Sequence, residues 1–243
     1  MTKKSLIMFL YQPTTGYCYN SDSIFLYRFI ASFRPRGSLL DVGCGVGILS
    51  LLVTRDFQTE TVIIDKQESM LRYAQHNFTL NGLHVTAYLG DFVAMEEGER
   101  FDTIISNPPF YDSAVQQSSN THLNIARYAH HLPIDGLIRK VKRLIKPRGR
   151  FIFCYDAKQI DRLLFTLKTH GLNPETIQFV HPKLDREAKL VMIATRNNSK
   201  SMTQILPPLV VFDEESCYRE VAQEAFERAN TYSIKGDLVS CNH

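Results

Sequence analysis

The stretch Asn107-Pro108-Pro109-Phe110 has residue types that, in this order, suit chemistry on an amine. Two consecutive prolines stiffen the backbone and remove two amide donors. What remains is a fixed set of acceptors, the Asn107 side-chain oxygen and the Pro108 carbonyl. A planar –NH2 group brings two donors and fits that set. An exocyclic amine is a poor nucleophile because its lone pair is conjugated with the ring. Accepting both its hydrogens pulls the nitrogen toward tetrahedral geometry and frees the pair for attack. Phe110 offers a face for the planar group, a stacking surface worth about 1–3 kcal/mol per base. The alternative is an Asn-Pro turn with a core phenylalanine. The position of the stretch, directly after the strand-like run Phe101 to Ser106, disfavours it.

A second stretch, Asp41-Val42-Gly43-Cys44-Gly45-Val46-Gly47, has the composition of a ligand loop. Ser38 to Val42 reads as a buried strand and Ile48 to Val53 as an apolar helix. Strand, glycine turn and helix make the nucleotide-side loop of a Rossmann-type unit, where backbone approaches a ligand with no side chain between. A dinucleotide fingerprint needs its third glycine at position 48, which is Ile48; here it comes one residue earlier, and an acid precedes the first glycine by two. Pyrophosphate on the helix N-terminus is therefore the weaker reading. The tighter turn suits a carrier of S-adenosylmethionine (SAM), whose methyl sulfonium is the electrophile an activated amine would attack.

Asp41, Gly43, Cys44, Gly45 and Gly47 are then candidate cofactor residues. Asp65 joins them at the end of the next strand, Thr61 to Asp65, followed by Lys66. An acid there can accept two hydrogen bonds from ribose hydroxyls, or N-cap the helix beginning near Gln67, and both can hold at once. Asp91, after the strand Val85 to Leu89, is a candidate acceptor for the adenine amino group, with Phe92 lining the ring. A turn carboxylate after Gly90 is its plainer reading.

These positions require strands that end side by side. Strands alternate with helices along most of the chain, and the pattern closes on a strand pair, Thr176 to Val180 and Leu190 to Thr195. The expected fold is α/β: a doubly wound, mostly parallel seven-stranded sheet, Rossmann-like, with extensions at both ends. The divisions are 1–37 (N-terminal cover and helix), 38–197 (cofactor-binding core) and 198–243 (C-terminal extension). Leu6 to Tyr11 and Tyr17 to Tyr19 read as a hairpin or an ordered cover around a Pro/Gly turn. Asn20 or Ser21 can cap a helix to about Phe33. Residues 111–132 lack periodicity and read as a substrate-facing lid. Asp156 with Gln159 reads as a capping box, Asp213 as the cap of a last helix, Leu206 to Phe212 as a Pro-interrupted edge run, and the final dozen residues as frayed.

Hydrophobic content of 44% with 22% charged residues is that of an ordinary globular protein. The five cysteines are odd in number and include no C-x-x-C pair, which points to reduced thiols in the cytosol and away from a disulfide framework or zinc site. No metal is expected from the histidine spacing, and neither a membrane span nor a signal peptide is read. A net charge of +3 leaves the placement of charge to decide whether an acidic partner is bound. The densest basic run is Arg139, Lys140, Lys142, Arg143, Lys146, Arg148 and Arg150. It lies near a helix C-terminus, where cations are favourable on dipole grounds, and a solvated face is preferred over a nucleic-acid grip. Lys183 and Arg186 are fewer, but their connector leaves a strand at the carboxyl end, on the ligand side.

On these residues the chain resembles the class I SAM-dependent methyltransferases of the amino-methylating branch, marked by (Asn/Asp/Ser)-Pro-Pro-(Tyr/Phe/Trp). More narrowly, it is similar to the bacterial tRNA adenine-N6 methyltransferases that modify the adenosine beside the anticodon of a valine tRNA. Gly16-Tyr17 followed by Asp22, Ala126-Arg127-Tyr128, and Leu206-Pro207-Pro208-Leu209 carry the narrower likeness. Phe110 stands where Tyr is usual, and Tyr128-Ala129-His130 where relatives more often have His-Glu after the Arg. The resemblance implies SAM as cofactor, tRNA as partner, no membrane, a cytoplasmic enzyme for which a monomer is one admissible state, and Asn107 to Phe110 as the catalytic stretch. Arg127, Lys183 and Arg186 are the expected RNA contacts. Two rivals remain: a methyltransferase for protein glutamine or another nucleic-acid amine, and a SAM-binding module without catalysis.

Overall fold

The computed structural model describes residues 6–15, 18–96, 98–108 and 134–238. In chain order its elements are β1 (Met8–Gln12), α1 (Ser21–Ser32), β2 (Ser38–Val42), α2 (Ile48–Phe57), β3 (Glu60–Asp65), α3 (Glu68–Leu80), β4 (Thr86–Leu89) and β5 (Phe101–Ser106). Then come α4 (Ile134–Leu144), β6 (Ile145–Asp156), α5 (Ile160–Thr169), β7 (Leu172–His181), β8 (Leu190–Asn197), β9 (Gln204–Ile205), β10 (Leu209–Val210), α6 (Glu220–Ala229) and β11 (Thr231–Lys235).

Among the described residues, nine strands form the main sheet in the order β10, β7, β8, β6, β5, β2, β3, β4, with β9 also paired to β7. Seven make the expected mostly parallel sheet, in which β8 alone runs antiparallel to its neighbours β6 and β7. The additional two, β9 and β10, are two-residue strands on either side of Pro207-Pro208, too short to show a period in sequence. Pro174 sits at a register shift in the β7–β8 ladder, where a missing donor is tolerated, so β7 begins earlier than Thr176.

Alternate residues of the central strands face opposite layers. Leu39, Ile105, Ile152 and Cys154 pack among α1, α2, α3 and α6. Leu40, Ile104, Phe151 and Phe153 pack with α4 and α5. Burying each large apolar side chain contributes about 1.5–3 kcal/mol, so the two-sided sheet is the main source of rigidity under the site. Helix α1 is capped by Asn20, whose side chain accepts from the Asp22 amide, and buries eight of its residues.

Several expectations are corrected. Of the two readings of the N-terminal run, the described residues show a cover: β1 pairs in parallel with β11, so Tyr232 to Lys235, within the final dozen, are ordered strand. The other edge of β1 is taken by asparagine side chains of α3, with Asn81 on Phe9 N–H and C=O and Asn77 on Tyr11 N–H and C=O. Both edges of β1 are thereby satisfied without a third strand. Asp213 caps a turn, accepting from Cys217 N–H, and Arg219 is the N-cap of α6. Asp156 accepts from Lys158 N–H as the cap of a short 3-10 turn that leads into α5.

The basic run is not a solvated face throughout. Lys140 is buried with its ammonium on the Met95 carbonyl. Lys142 donates to the Gly171 carbonyl and to Asn197 and Asn198, Lys146 to Asp102, and the Arg150 guanidinium lies 5.5 Å from the Phe33 ring centre. Lys142, Lys146 and Arg150 bind structure at the amino end of the sheet, while Arg139 and Arg148 are exposed. The lid expected at 111–132 lies outside the described residues.

Candidate active site

Val42 and Ser106 are register partners on the neighbouring parallel strands β2 and β5, and Ser106 Oγ donates to the Val42 carbonyl at 2.8 Å. The glycine loop and Asn107 therefore leave the sheet side by side at its carboxyl edge. Adjacent strands lie about 4.8 Å apart, so a ligand on one loop is in reach of a ligand on the other.

The loop is stitched to the end of β3. Gly43 N–H (2.9 Å) and Cys44 N–H (3.2 Å) donate to the Ile64 carbonyl, Gly47 N–H to the Cys44 carbonyl, and Gly45 N–H to Asp65 Oδ2 at 2.9 Å. Gly43, Gly45 and Gly47 all have positive φ, a backbone other residues rarely adopt. A Cβ at Gly43 would meet nothing within 4 Å, so open space lies against this backbone. At Gly47 it would meet Ala74 Cβ at 3.0 Å, so this glycine is needed for α3 to pack against the start of α2. Asn77 on α3 donates to the Val46 carbonyl, holding the loop from behind.

With these amides engaged, the loop offers little of the free N–H array that holds a phosphate. The charge around it is also wrong for an anion. Asp41 is buried; its Oδ2 accepts from Ser50 N–H at 3.3 Å, and its Oδ1 is enclosed without a hydrogen-bond partner. Burial, with a smaller contribution from Asp65, pushes the Asp41 carboxyl up from 3.8 to about 7. Asp65 is likewise pushed up by burial, and the Cys44 thiol well up, by burial first and then by the two nearby acids. A cationic ligand relieves such a site; a pyrophosphate aggravates it.

Asp65 braces the start of α3 and the glycine loop together. Oδ1 accepts from Gln67 N–H at 2.8 Å at the start of α3, Oδ2 holds the glycine loop, and each oxygen keeps acceptor capacity for a hydroxyl. Lys66 is exposed beside it. Gly90 N–H donates to the Asp65 carbonyl at 3.0 Å, which brings Asp91 to the same crevice wall. Asp91 is exposed and its Oδ1 caps a turn on Val93 N–H, while Phe92 is buried beneath.

Asn107 is half-buried between β6 and the first turn of α1. Its Nδ2 donates to Ser23 Oγ at 3.2 Å, and its Oδ1 accepts from the Cys154 thiol at 2.9 Å. Pro108 is buried. Pro109, Phe110 and Arg127 lie outside the described residues. Lys183 and Arg186 sit on the β7–β8 connector, at the same carboxyl edge but separated from β5 by β8 and β6. The half-buried Lys183 donates to the Glu214 carbonyl at 2.9 Å, and the exposed Arg186 lies 3.8 Å from Asp185. Ser23 and Cys154 escape the sequence reading. A serine in an apolar helix and a thiol in a strand both read as core, and no local pattern links either to position 107. Among the described residues no group of three or more His, Cys, Asp or Glu could hold a metal ion, and no helix is long and apolar enough to cross a membrane.

Comparison with known proteins agrees with this geometry. The model of the methyltransferase small domain family matches residues 21–150. A tRNA1(Val) (adenine(37)-N6)-methyltransferase of Vibrio vulnificus is 28% identical over 171 residues, covering 69% of this chain and 71% of that protein. A protein of the same name from Phocaeicola vulgatus is 26% identical over 159 residues, covering 65% and 68%. Among solved structures, a predicted O-methyltransferase from Agrobacterium tumefaciens superposes with a TM-score of 0.67 at 14% identity, covering 88% of this chain and 99% of that one. The likeness in structure is one of fold, the family match spans the glycine loop, Asp65 and Asn107 together, and the chain belongs to the methyltransferase small domain family.

Proposed function

We propose that this protein transfers a methyl group from SAM to the exocyclic amine of an adenine in tRNA, the adenosine beside the anticodon of a valine tRNA. One observation carries the reading: the acid-lined glycine loop and Asn107 emerge from paired residues, Val42 and Ser106, of adjacent strands. A methyl donor held on the one and an amine held at the other would be within reach of each other. The names of the relatives from Vibrio vulnificus and Phocaeicola vulgatus support adenine in tRNA as the acceptor.

SAM supplies a methyl on a positively charged sulfonium. Asp41 is the group for its ammonium end, since Oδ1 is enclosed and free to accept. Asp65 and Asp91 take its ribose hydroxyls and adenine edge, with Cys44, Lys66 and Phe92 forming the surrounding wall. The open space at Gly43 would leave room for the cofactor against the loop backbone. On the substrate side, Asn107 Oδ1 and the Pro108 carbonyl accept the two amine hydrogens, and Phe110 stacks on the base. With both amine hydrogens so held, the nitrogen lone pair would be free to take the methyl that bound SAM would supply, and one amine proton would leave to water. Lys183, Arg186 and Arg127 engage the RNA backbone, whose recognition is dominated by phosphate contacts.

The test is incubation with labelled SAM and unmodified total tRNA, followed by nucleoside analysis. The expected product is N6-methyladenosine. Asn107→Ala should cut single-turnover transfer by at least about a hundredfold at saturating SAM and tRNA, the scale of one preorganised polar contact in a dry site. Near-normal turnover in that variant would overturn the amine clamp, and label in protein glutamine would favour the rival acceptor.

A further inference from the structure

Building on the reading of Asn107 as the amine clamp, we propose that Ser23 and Cys154 are positioning residues that hold the Asn107 amide in the one flip state able to accept the substrate amine. A carboxamide can turn by half a revolution about its last bond, exchanging an acceptor oxygen for an NH2 group at nearly the same place. Only one of the two states accepts an amine; the other confronts it with donors.

The side chains around Asn107 distinguish the two states. The Cys154 thiol lies 2.9 Å from Oδ1, and a thiol donates weakly but accepts still more weakly. It prefers the oxygen to the NH2 group. Ser23 Oγ, 3.2 Å from Nδ2, takes the other end. A hydroxyl can donate or accept, so Ser23 anchors the second end of the amide and restrains its rotation, while the choice between the two states falls to Cys154. The thiol remains protonated because burial, helped by the nearby Asp22 charge, pushes it well up. Both partners are enclosed, Ser23 at 2% exposure and Cys154 at 0%, so neither meets substrate. They are fixed by the fold: Ser106 pairs with Phe153, which sets Cys154 beside Asn107, and the Asn20 cap fixes the turn of α1 that carries Ser23. One lone pair of Oδ1 is then used by the thiol and the second is left for the amine.

The experiment measures single-turnover methyl transfer at saturating SAM and tRNA for Ser23→Ala, Cys154→Ala and Cys154→Ser, each also in an Asn107→Ala background. Each alanine should slow transfer by about tenfold or more, the lower range for loss of a supporting contact. The KM for tRNA and the affinity for SAM should stay within about twofold. Cys154→Ser, which restores a donor, should recover most of the rate. In the Asn107→Ala background the same substitutions should change the rate by less than about twofold, because nothing remains to orient. Alanine variants at wild-type rate, or equal losses in the Asn107→Ala background, would overturn the inference while leaving the amine clamp standing. Normal turnover in Asn107→Ala alone would overturn both. Should an alanine variant fail to fold, Cys154→Val and Cys154→Ser decide between them: a donor-free valine as fast as serine overturns the inference.

Discussion

Alanine at Gly43 and at Gly47 should fail in different ways. The two positions share a positive φ, +68° and +81°, so each alanine carries about 1–2 kcal/mol of left-handed backbone strain. They part company over space. At Gly43 the new methyl meets nothing within 4 Å, and the cost to the empty protein ends there. At Gly47 it falls 3.0 Å from Ala74 Cβ and 3.3 Å from Ala74 Cα, atoms of a packed helix that can yield only by moving α3. Overpacking of that kind adds about 1–3 kcal/mol, for a total of roughly 2–5. At 2–4 °C per kcal/mol for a domain of this size, Gly43→Ala should lower Tm by roughly 2–8 °C and Gly47→Ala by roughly 4–20 °C. Calorimetric titration should show the reverse order. The Gly43 methyl stands in the space assigned to the cofactor and should weaken SAM by about tenfold or more, equivalent to 1.4 kcal/mol, while folded Gly47→Ala loses less. Equal Tm losses would refute the packing argument at Gly47, and a Gly43→Ala protein with wild-type affinity would refute the assignment of that space.

Asp41 makes stability fall with rising pH. Its carboxyl is raised from 3.8 to about 7 in the folded protein, so between those values the native state holds the extra proton. The contribution is complete below about pH 4 and is lost as pH climbs through 7, at most roughly 4 kcal/mol. Urea unfolding of the cofactor-free protein at pH 5 and pH 8 should show a steeper decline than in Asp41→Asn, and parallel profiles would count against it. Charge reversal at Lys183 and Arg186 should raise the KM for tRNA and flatten the salt dependence of binding, while reversal at the exposed Arg139 and Arg148 should do less. If the second pair proves the more damaging, the RNA face has been placed at the wrong end of the sheet.

Local patterns carried much of the fold and the build of the glycine loop. Ser38 to Gly47 state strand, turn and helix within ten residues, and Asn81-Gly82 ends α3 as read, with Gly82 at positive φ. The bond of Asp65 to Gln67 N–H was legible because it depends on immediate neighbours in the chain. Contacts between distant segments were not legible. Lys140 flanks the apolar stripe of α4 and looks solvated, yet a carbonyl at Met95 draws it inward. Nothing near Leu6 to Gln12 announces a partner at Thr231 to Lys235, because pairing of two short strands leaves no mark on either alone. The support of Asn107 is hidden for the same reason, since it comes from α1 and from β6.

The pairing of β1 with β11 bears on how the chain is made. Gln12 and Ser233 bond across 221 residues. At about 5–20 residues per second, β1 leaves the ribosome roughly 10–45 s before its partner. Over that interval the glycine loop, Asn107 and Cys154 are all synthesised, and α3 can already hold one edge of β1 through Asn77 and Asn81. The other edge stays bare, and so does Thr14, whose partner Asp237 comes later still. The rim beside the cofactor loop is therefore closed last, by the arrival of residues 231–237. A nascent chain can own every residue assigned to the chemistry while its cover is still untied, and its open strand edge is then a hazard for association with other nascent chains.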